Sequence, residues 1–122
     1  MIKKNDLQKE VVEKVLERIS GSVGDYFKGY QYIVDIILLM LEDKQRNTTL
    51  KTYYGYIGSR YNISQISIER DIRYYIDVVF EKGNIEEIER IFGDKISVET
   101  GKLTQRNFLR SLCRYVKQKL NK

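Results

Sequence analysis

The sequence lacks histidine, proline and tryptophan, and it contains a single cysteine, Cys113. Without histidine, the chain cannot assemble a Ser-His-Asp triad or the common His/Cys zinc sites. One cysteine cannot form an intramolecular disulfide, and no export signal opens the chain, so we expect a cytoplasmic protein. The acidic residues form no recognisable pair for acid–base catalysis. We therefore expect neither an enzyme nor a protein that holds a cofactor or a metal.

Long apolar runs are also absent. The longest, residues 36–41, is much shorter than the roughly 20 residues that a membrane-spanning helix needs, so we expect no membrane association. The 122 residues are 42% hydrophobic and 32% charged, which is the size and composition of one globular domain. We treat residues 1–122 as a single domain.

The net charge of +5 is modest, but the charges are unevenly distributed along the chain. Residues 44–68 contain four basic and no acidic side chains, and residues 101–122 contain seven and none. Residues 69–100 between them contain five basic and nine acidic side chains. A polyanion would be attracted to the two acid-free segments only, which favours a nucleic-acid-binding protein with one contacting face. Solvation of helices by lysine and arginine is the alternative explanation.

Apolar residues recur at helical spacing, and no set of alternating strands is present, so the sequence predicts an all-α fold. Asn5 and Gln8 have the spacing of a capping box before the first amphipathic helix, which ends near Gly21. Residues 94–102 are expected to form an irregular loop or a short hairpin. The remaining helices are predicted at about 29–41, 50–61, 64–82, 84–93 and 104–120. The expected fold is a compact bundle of about six helices that contains a helix-turn-helix.

The helix-turn-helix is predicted at residues 50–82. Gly58 allows two helices to approach closely, Asn62 tolerates the left-handed conformation of a turn, and Ile57 and Tyr61 are expected to face inward. Many helical hairpins would also meet this pattern.

The second helix of this motif is expected to bury one face and expose the other. Arginines on the exposed face can bind guanine or phosphate, and Glu69 at its edge can accept from cytosine. An exposed helix with a Glu69 to Arg73 ion pair is the alternative. The exposed face is predicted to consist of Ser67, Arg70, Arg73, Tyr74 and Asp77.

Five segments of the sequence carry a pattern that is more specific than a generic helix-turn-helix: residues 29–33, 57–62, 68–73, 83–85 and 91–93. Together they resemble the DNA-binding effector domain of the stage-zero sporulation response regulator. That resemblance covers roughly the last three-quarters of the chain, so residues 1–24 are expected to be an additional N-terminal helix before an effector-like region at 25–122.

The resemblance implies a six-helix domain whose second motif helix enters the major groove of double-stranded DNA. Ser67 stands where the family has a base-reading arginine, and Asp71 adds a negative charge, so the operator preference is expected to differ. The candidate residues that would face base edges or nearby phosphates are Ser67, Glu69, Arg70, Arg73 and Tyr74, and Gln65 is a further candidate DNA-binding residue. The candidate backbone-binding residues are Arg60, Lys102, Thr104 and Gln105.

The resemblance also implies a partner surface around residues 83–93, which in the family contacts the sigma subunit of RNA polymerase. The candidate partner-binding residues are Ile85, Glu87, Glu89 and Phe92. No receiver domain is expected within these 122 residues, and the N-terminal helix is a candidate element for a homodimer. The alternative function is a protein–protein interaction module that kept the fold but lost specific operator binding.

The last predicted helix carries a basic stripe opposite its apolar face. The stripe could follow the DNA backbone, or it could be a solvated face whose cations complement the helix dipole. It consists of Arg106, Arg110, Arg114 and Lys117.

Overall fold

The computed structural model describes residues 3–21, 27–43 and 48–121. Within these residues it has six α-helices, one 3-10 helix (Gly93–Lys95) and no strand, which confirms the predicted all-α bundle. The ends of the predicted N-terminal segment, residues 1, 2 and 22–24, lie outside the described residues. The helices are α1 (Lys4–Ser20), α2 (Lys28–Glu42), α3 (Leu50–Tyr61), α4 (Gln65–Lys82), α5 (Ile85–Phe92) and α6 (Gln105–Leu120).

Four of these helices begin at a side-chain cap. The side chains of Thr49, Ser64, Asn84 and Thr104 each accept a hydrogen bond from the backbone N–H three residues later. Such caps satisfy a donor that the first turn leaves unpaired, and they are signals that a sequence shows directly. α1 and α2 begin without a side-chain cap. The N-cap residue of α1 is Lys3 rather than the expected Asn5, and Gln8 is buried.

The second helix is the centre of the core. α2 packs against α1, α3, α4 and α6, and its buried residues occupy nearly all sides of the helix. A helix that is apolar almost all round is stable only when other helices cover it. The bundle is therefore organised around residues 28–42.

The first turn of α2 lies directly against the backbone of α4. A Cβ atom added to Gly29 would lie 2.3 Å from the carbonyl oxygen of Asp71 and 2.9 Å from the Cβ of Tyr75. Any side chain at residue 29 would push the two helices apart. This contact sets the position of α4 in the bundle.

The turn between α3 and α4 has the geometry that the sequence predicts. Asn62 adopts the left-handed conformation (φ 57°, ψ 48°), and the N–H of Ile63 donates to the carbonyl of Gly58 at 2.9 Å. A Cβ on Gly58 would lie 2.7 Å from the carbonyl oxygen of Ile63, so glycine is required here. Tyr61 differs from the expectation, because its side chain is 38% exposed rather than inward-facing.

The connection to α6 is an irregular loop rather than a hairpin. The N–H of Ser97 donates to the carbonyl of Lys102 and that of Gly101 to the carbonyl of Ser97, with Gly101 at φ 68°. This loop brings the start of α6 back to the side of α4.

The first helix is a full member of the bundle. Its apolar face, formed by Val12, Val15, Leu16 and Ile19, is buried by the rest of the same chain. That face is therefore not available for the homodimer contact expected of the N-terminal helix. Within the described residues, no helix is both long and apolar enough to cross a membrane.

Replacing Gly29 with alanine is expected to destabilise the fold by roughly 1–3 kcal/mol, because the added methyl group overlaps the α4 backbone. Gly93→Ala is the matched control, since Gly93 has right-handed helical angles and no atom within 3.4 Å of an added Cβ. Urea denaturation followed by circular dichroism measures both variants. Equal midpoints for the two variants would contradict the proposed contact.

Candidate nucleic-acid interface

One face of α4 is buried and the opposite face is exposed, as the sequence predicts. The buried face consists of Ile68, Ile72, Tyr75, Ile76 and Val79. The exposed face begins at the first turn, which Ser64 caps. Because the apolar residues fix the rotation of the helix about its axis, they also determine which polar side chains point outward.

An open cleft of about 880 Å³ lies along the exposed face of α4. Its walls include the first two residues of three helices: α3 (Leu50, Lys51), α4 (Gln65, Ile66) and α6 (Gln105, Arg106). The N-terminal end of a helix carries a partial positive charge and unpaired N–H groups. Three such ends at one cleft make it a favourable place for phosphate oxygens.

The charged side chains of the cleft are mostly cationic. Lys51, Arg70, Arg73 and Arg106 line it, together with one carboxylate, that of Glu69. The cations come from both acid-free segments and from α4, so folding brings together charges that are distant in sequence. Lys51 and Ile66 were not among the predicted site residues, because nothing local to them shows that the start of α3 adjoins α4.

The two arginines of α4 differ in how many contacts they make within the protein. The Arg70 side chain is 69% exposed, and its Nε lies 3.5 Å from Asp71 Oδ1. Arg73 donates from Nη1 to the carbonyl of Leu103 at 3.2 Å and pairs with Asp77 at 3.6 Å, rather than pairing with Glu69. Arg70 is the more available of the two for a ligand.

The Gln105 side chain joins three helices beside the cleft. Its Nε2 donates to the carbonyl of Glu69 at 2.8 Å, and its Oε1 accepts from the hydroxyl of Tyr54 at 2.5 Å. One side chain thus links the starts of α6, α4 and the middle of α3. Gln105 was predicted to bind the DNA backbone, whereas here its amide group is occupied within the protein.

Two hydroxyl side chains of the predicted site act in helix caps. Thr104 accepts from the N–H of Asn107 at 3.1 Å, and Ser67 Oγ accepts from Ser64 Oγ at 3.0 Å. Lys102 is exposed just before α6, and Tyr74 is 57% exposed with its ring against that of Phe27.

Arg60 lies at the other end of α3 from the cleft, beside a buried carboxylate. Asp35, which is 7% exposed, accepts from Gln31 Nε2 at 3.1 Å and from the Tyr61 hydroxyl at 2.5 Å. Arg60 Nη1 lies 3.6 Å from Asp35, and the guanidinium stacks over the Tyr56 ring. The sequence does not reveal Asp35 as part of this cluster, because it lies within an apolar helix and two of its three partners, Arg60 and Tyr61, come from α3.

The candidate partner residues on α5 divide into exposed and buried groups. Ile85 is 66% exposed, Glu89 is exposed, and Glu87 pairs with Arg90. Phe92 was expected on this surface, but it is fully buried and stacks on Phe108 with ring centroids 4.8 Å apart. Its large apolar ring instead fixes α5 to α6, so the prediction for Phe92 is corrected.

Residues 12–116 match the family described as "Sporulation initiation factor Spo0A C terminal". The chain belongs to this family. Members of the Spo0A C-terminal family are DNA-binding effector domains, which confirms the resemblance seen in the motifs. The match begins inside α1, whereas residues 1–24 are expected from the motifs to be an addition before the effector-like region. The C-terminal half of α1 thus falls within the matched Spo0A C-terminal region.

Tyr54 at the cleft and Tyr61 at the end of α3 are expected to make the stability of the domain fall at alkaline pH. Burial raises the pKa of Tyr54 to about 12, with a further contribution from the Glu69 carboxylate. Burial and the hydrogen bond to Asp35 raise the pKa of Tyr61 to about 12. Both values lie above the ordinary 10.0, so the unfolded chain releases these protons first as the pH rises.

The stabilisation that the protonated Tyr54 and Tyr61 provide is complete below about pH 10 and is expected to be lost between about pH 10 and pH 12. Urea midpoints measured across this range, with tyrosinate absorbance recorded in parallel, test the expectation. Tyr54→Phe should reduce the loss, whereas Tyr74→Phe, at an exposed tyrosine on α4, should leave it unchanged. A midpoint that stays constant across this range would contradict it.

Proposed function

We propose that this protein is a sequence-preferring, double-stranded DNA-binding transcription regulator whose helix α4 enters the major groove. The convergence of three helix N-termini and four cationic side chains on the cleft beside α4 is the observation that supports this function. Membership of the Spo0A C-terminal family supports it independently. Such a regulator acts at the nucleoid, in keeping with the cytoplasmic location expected from the sequence.

Arg70 is the main base-reading residue in this proposal. Its exposed guanidinium can form two parallel hydrogen bonds with guanine O6 and N7. Glu69, one residue earlier on the same face, can accept a hydrogen bond from cytosine N4. Ser67 and Tyr74 flank this pair on the exposed side of α4, and Gln65 lies at its start.

Contacts to the phosphate backbone come from the cleft and from the surface around it. Lys51 and Arg106 line the cleft, Lys102 and Thr104 precede α6, and Arg60 lies at the end of α3 that is remote from the cleft. These contacts position the protein without reading sequence, and they release counterions from the DNA. Gln105 contributes by holding the starts of α4 and α6 in place.

A partner surface on α5 is a second part of the proposal. The exposed apolar side chain of Ile85 lies beside Glu86 and near Glu89, which gives a small patch suited to a protein partner. The sigma subunit of RNA polymerase is the partner that the family resemblance implies. A homodimer on DNA would add affinity, since one recognition helix rarely supplies enough alone.

The DNA-binding proposal predicts a large effect of Arg70→Gln. Binding sites are selected from random duplexes with the wild-type protein, and fluorescence anisotropy then compares the selected duplex with a scrambled one. Arg70→Gln is expected to weaken binding to the selected duplex by roughly 10- to 100-fold and to reduce the preference over the scrambled duplex. Lys82→Gln, which removes a charge about 18 Å further along α4, is the matched control.

Two results would contradict this function. The first is a selection that enriches no site, with binding to any duplex disappearing as salt is raised, as expected of a protein-interaction module that kept only the fold. The second is an equal loss of binding in Arg70→Gln and Lys82→Gln, which would mean that net charge alone accounts for the affinity.

Replacing each of the two arginines of α4 is expected to change the free energy of unfolding by a different amount. Arg73→Ala removes a charged donor from the carbonyl of Leu103, a residue that is 2% exposed, so we expect a loss of about 1–2 kcal/mol. Arg70→Ala is expected to change stability by less than about 0.5 kcal/mol. Urea denaturation of both variants measures the difference, and equal stabilities would contradict the structural role of Arg73.

A further inference from the structure

The first turn of α4 exposes a large apolar side chain at the cleft. Ile66 is 76% exposed, and among the described residues only Val98 is a more exposed large hydrophobic residue. It lines the cleft together with Glu69, Arg70 and Arg73, which follow it at three, four and seven residues. Residues at these spacings share one face of a helix, so Ile66 continues the proposed base-reading stripe to the start of α4.

The side chains of the two polar neighbours of Ile66 already contact other parts of the protein. The Gln65 side chain lies against α3, where its Nε2 is 3.0 Å from the position of a Cβ on Gly55. The Ser67 hydroxyl is hydrogen-bonded to that of Ser64 within the cap. The Ile66 side chain, by contrast, projects from the first turn of α4 into solvent at the cleft.

We propose that Ile66 reads a thymine by packing against its C5-methyl group. This inference rests on the proposed function, because it requires α4 to lie in the major groove. The C5-methyl is the apolar feature that a base pair presents there, and the N-terminal residues of a recognition helix reach base edges. Hydrogen bonding from Arg70 and apolar contact from Ile66, one helical turn apart, would together read neighbouring base pairs.

Replacing thymine with deoxyuridine tests the proposal, because it removes the methyl group and keeps every hydrogen-bonding group of the base. Each thymine of the selected duplex is replaced in turn, and anisotropy gives the affinities of the wild type and Ile66→Ser. At one position, the wild type is expected to lose about fourfold in affinity, the effect of one buried methyl group. Ile66→Ser should bind the thymine and deoxyuridine duplexes at that position equally.

Val98→Ser is the matched control, since it removes an exposed β-branched side chain from a loop residue that is not among those lining the cleft. It should retain the wild-type loss at that position. The proposal is overturned if no replacement affects the wild type, if Ile66→Ser shows the same loss, or if the selected duplex contains no thymine. Failure of the proposed function is a different result, in which the wild type does not distinguish the selected duplex from a scrambled one.

Discussion

The contact between α2 and α4 is the constraint on which the rest of the structure depends. Gly29 brings the start of α2 against the backbone of α4 at Asp71, and the apolar residues of α2 require helices on nearly every side. Once α4 is held there, its buried face fixes its rotation, and the opposite face is presented to solvent. The position and the rotation of the proposed reading helix both follow from this packing.

Polar contacts hold the helices around the cleft in the positions that apolar packing gives them. Gln105 links α6 to α4 and α3, and Arg73 links α4 to Leu103, two residues before α6. These bonds hold three helix starts at one cleft, so some polar residues of the cleft serve as supports. Arg70 and Ile66 remain directed outward from this framework. In the proposed function, the supporting residues hold the cleft in shape and the outward-facing residues contact DNA.

The helices were predictable because their signals are local. Caps such as Ser64 and Asn84, and the apolar spacing of α4, lie within a few residues of the features they determine. The contacts of the site were less predictable, because they join residues distant in sequence. Gln105 bonds to Glu69 across 36 residues, and Asp35 meets Tyr61 across 26. Phe92 was misplaced for the same reason, since its burial depends on α6.

The cleft beside α4 is the proposed DNA-binding surface. The most direct test of this proposal is a nuclear magnetic resonance titration of the isotope-labelled protein with the selected duplex, in which backbone amide shifts are followed residue by residue. The largest shift changes are expected in residues 50–54, 65–73 and 102–106. Changes concentrated in residues 85–92, or in α1, would contradict it.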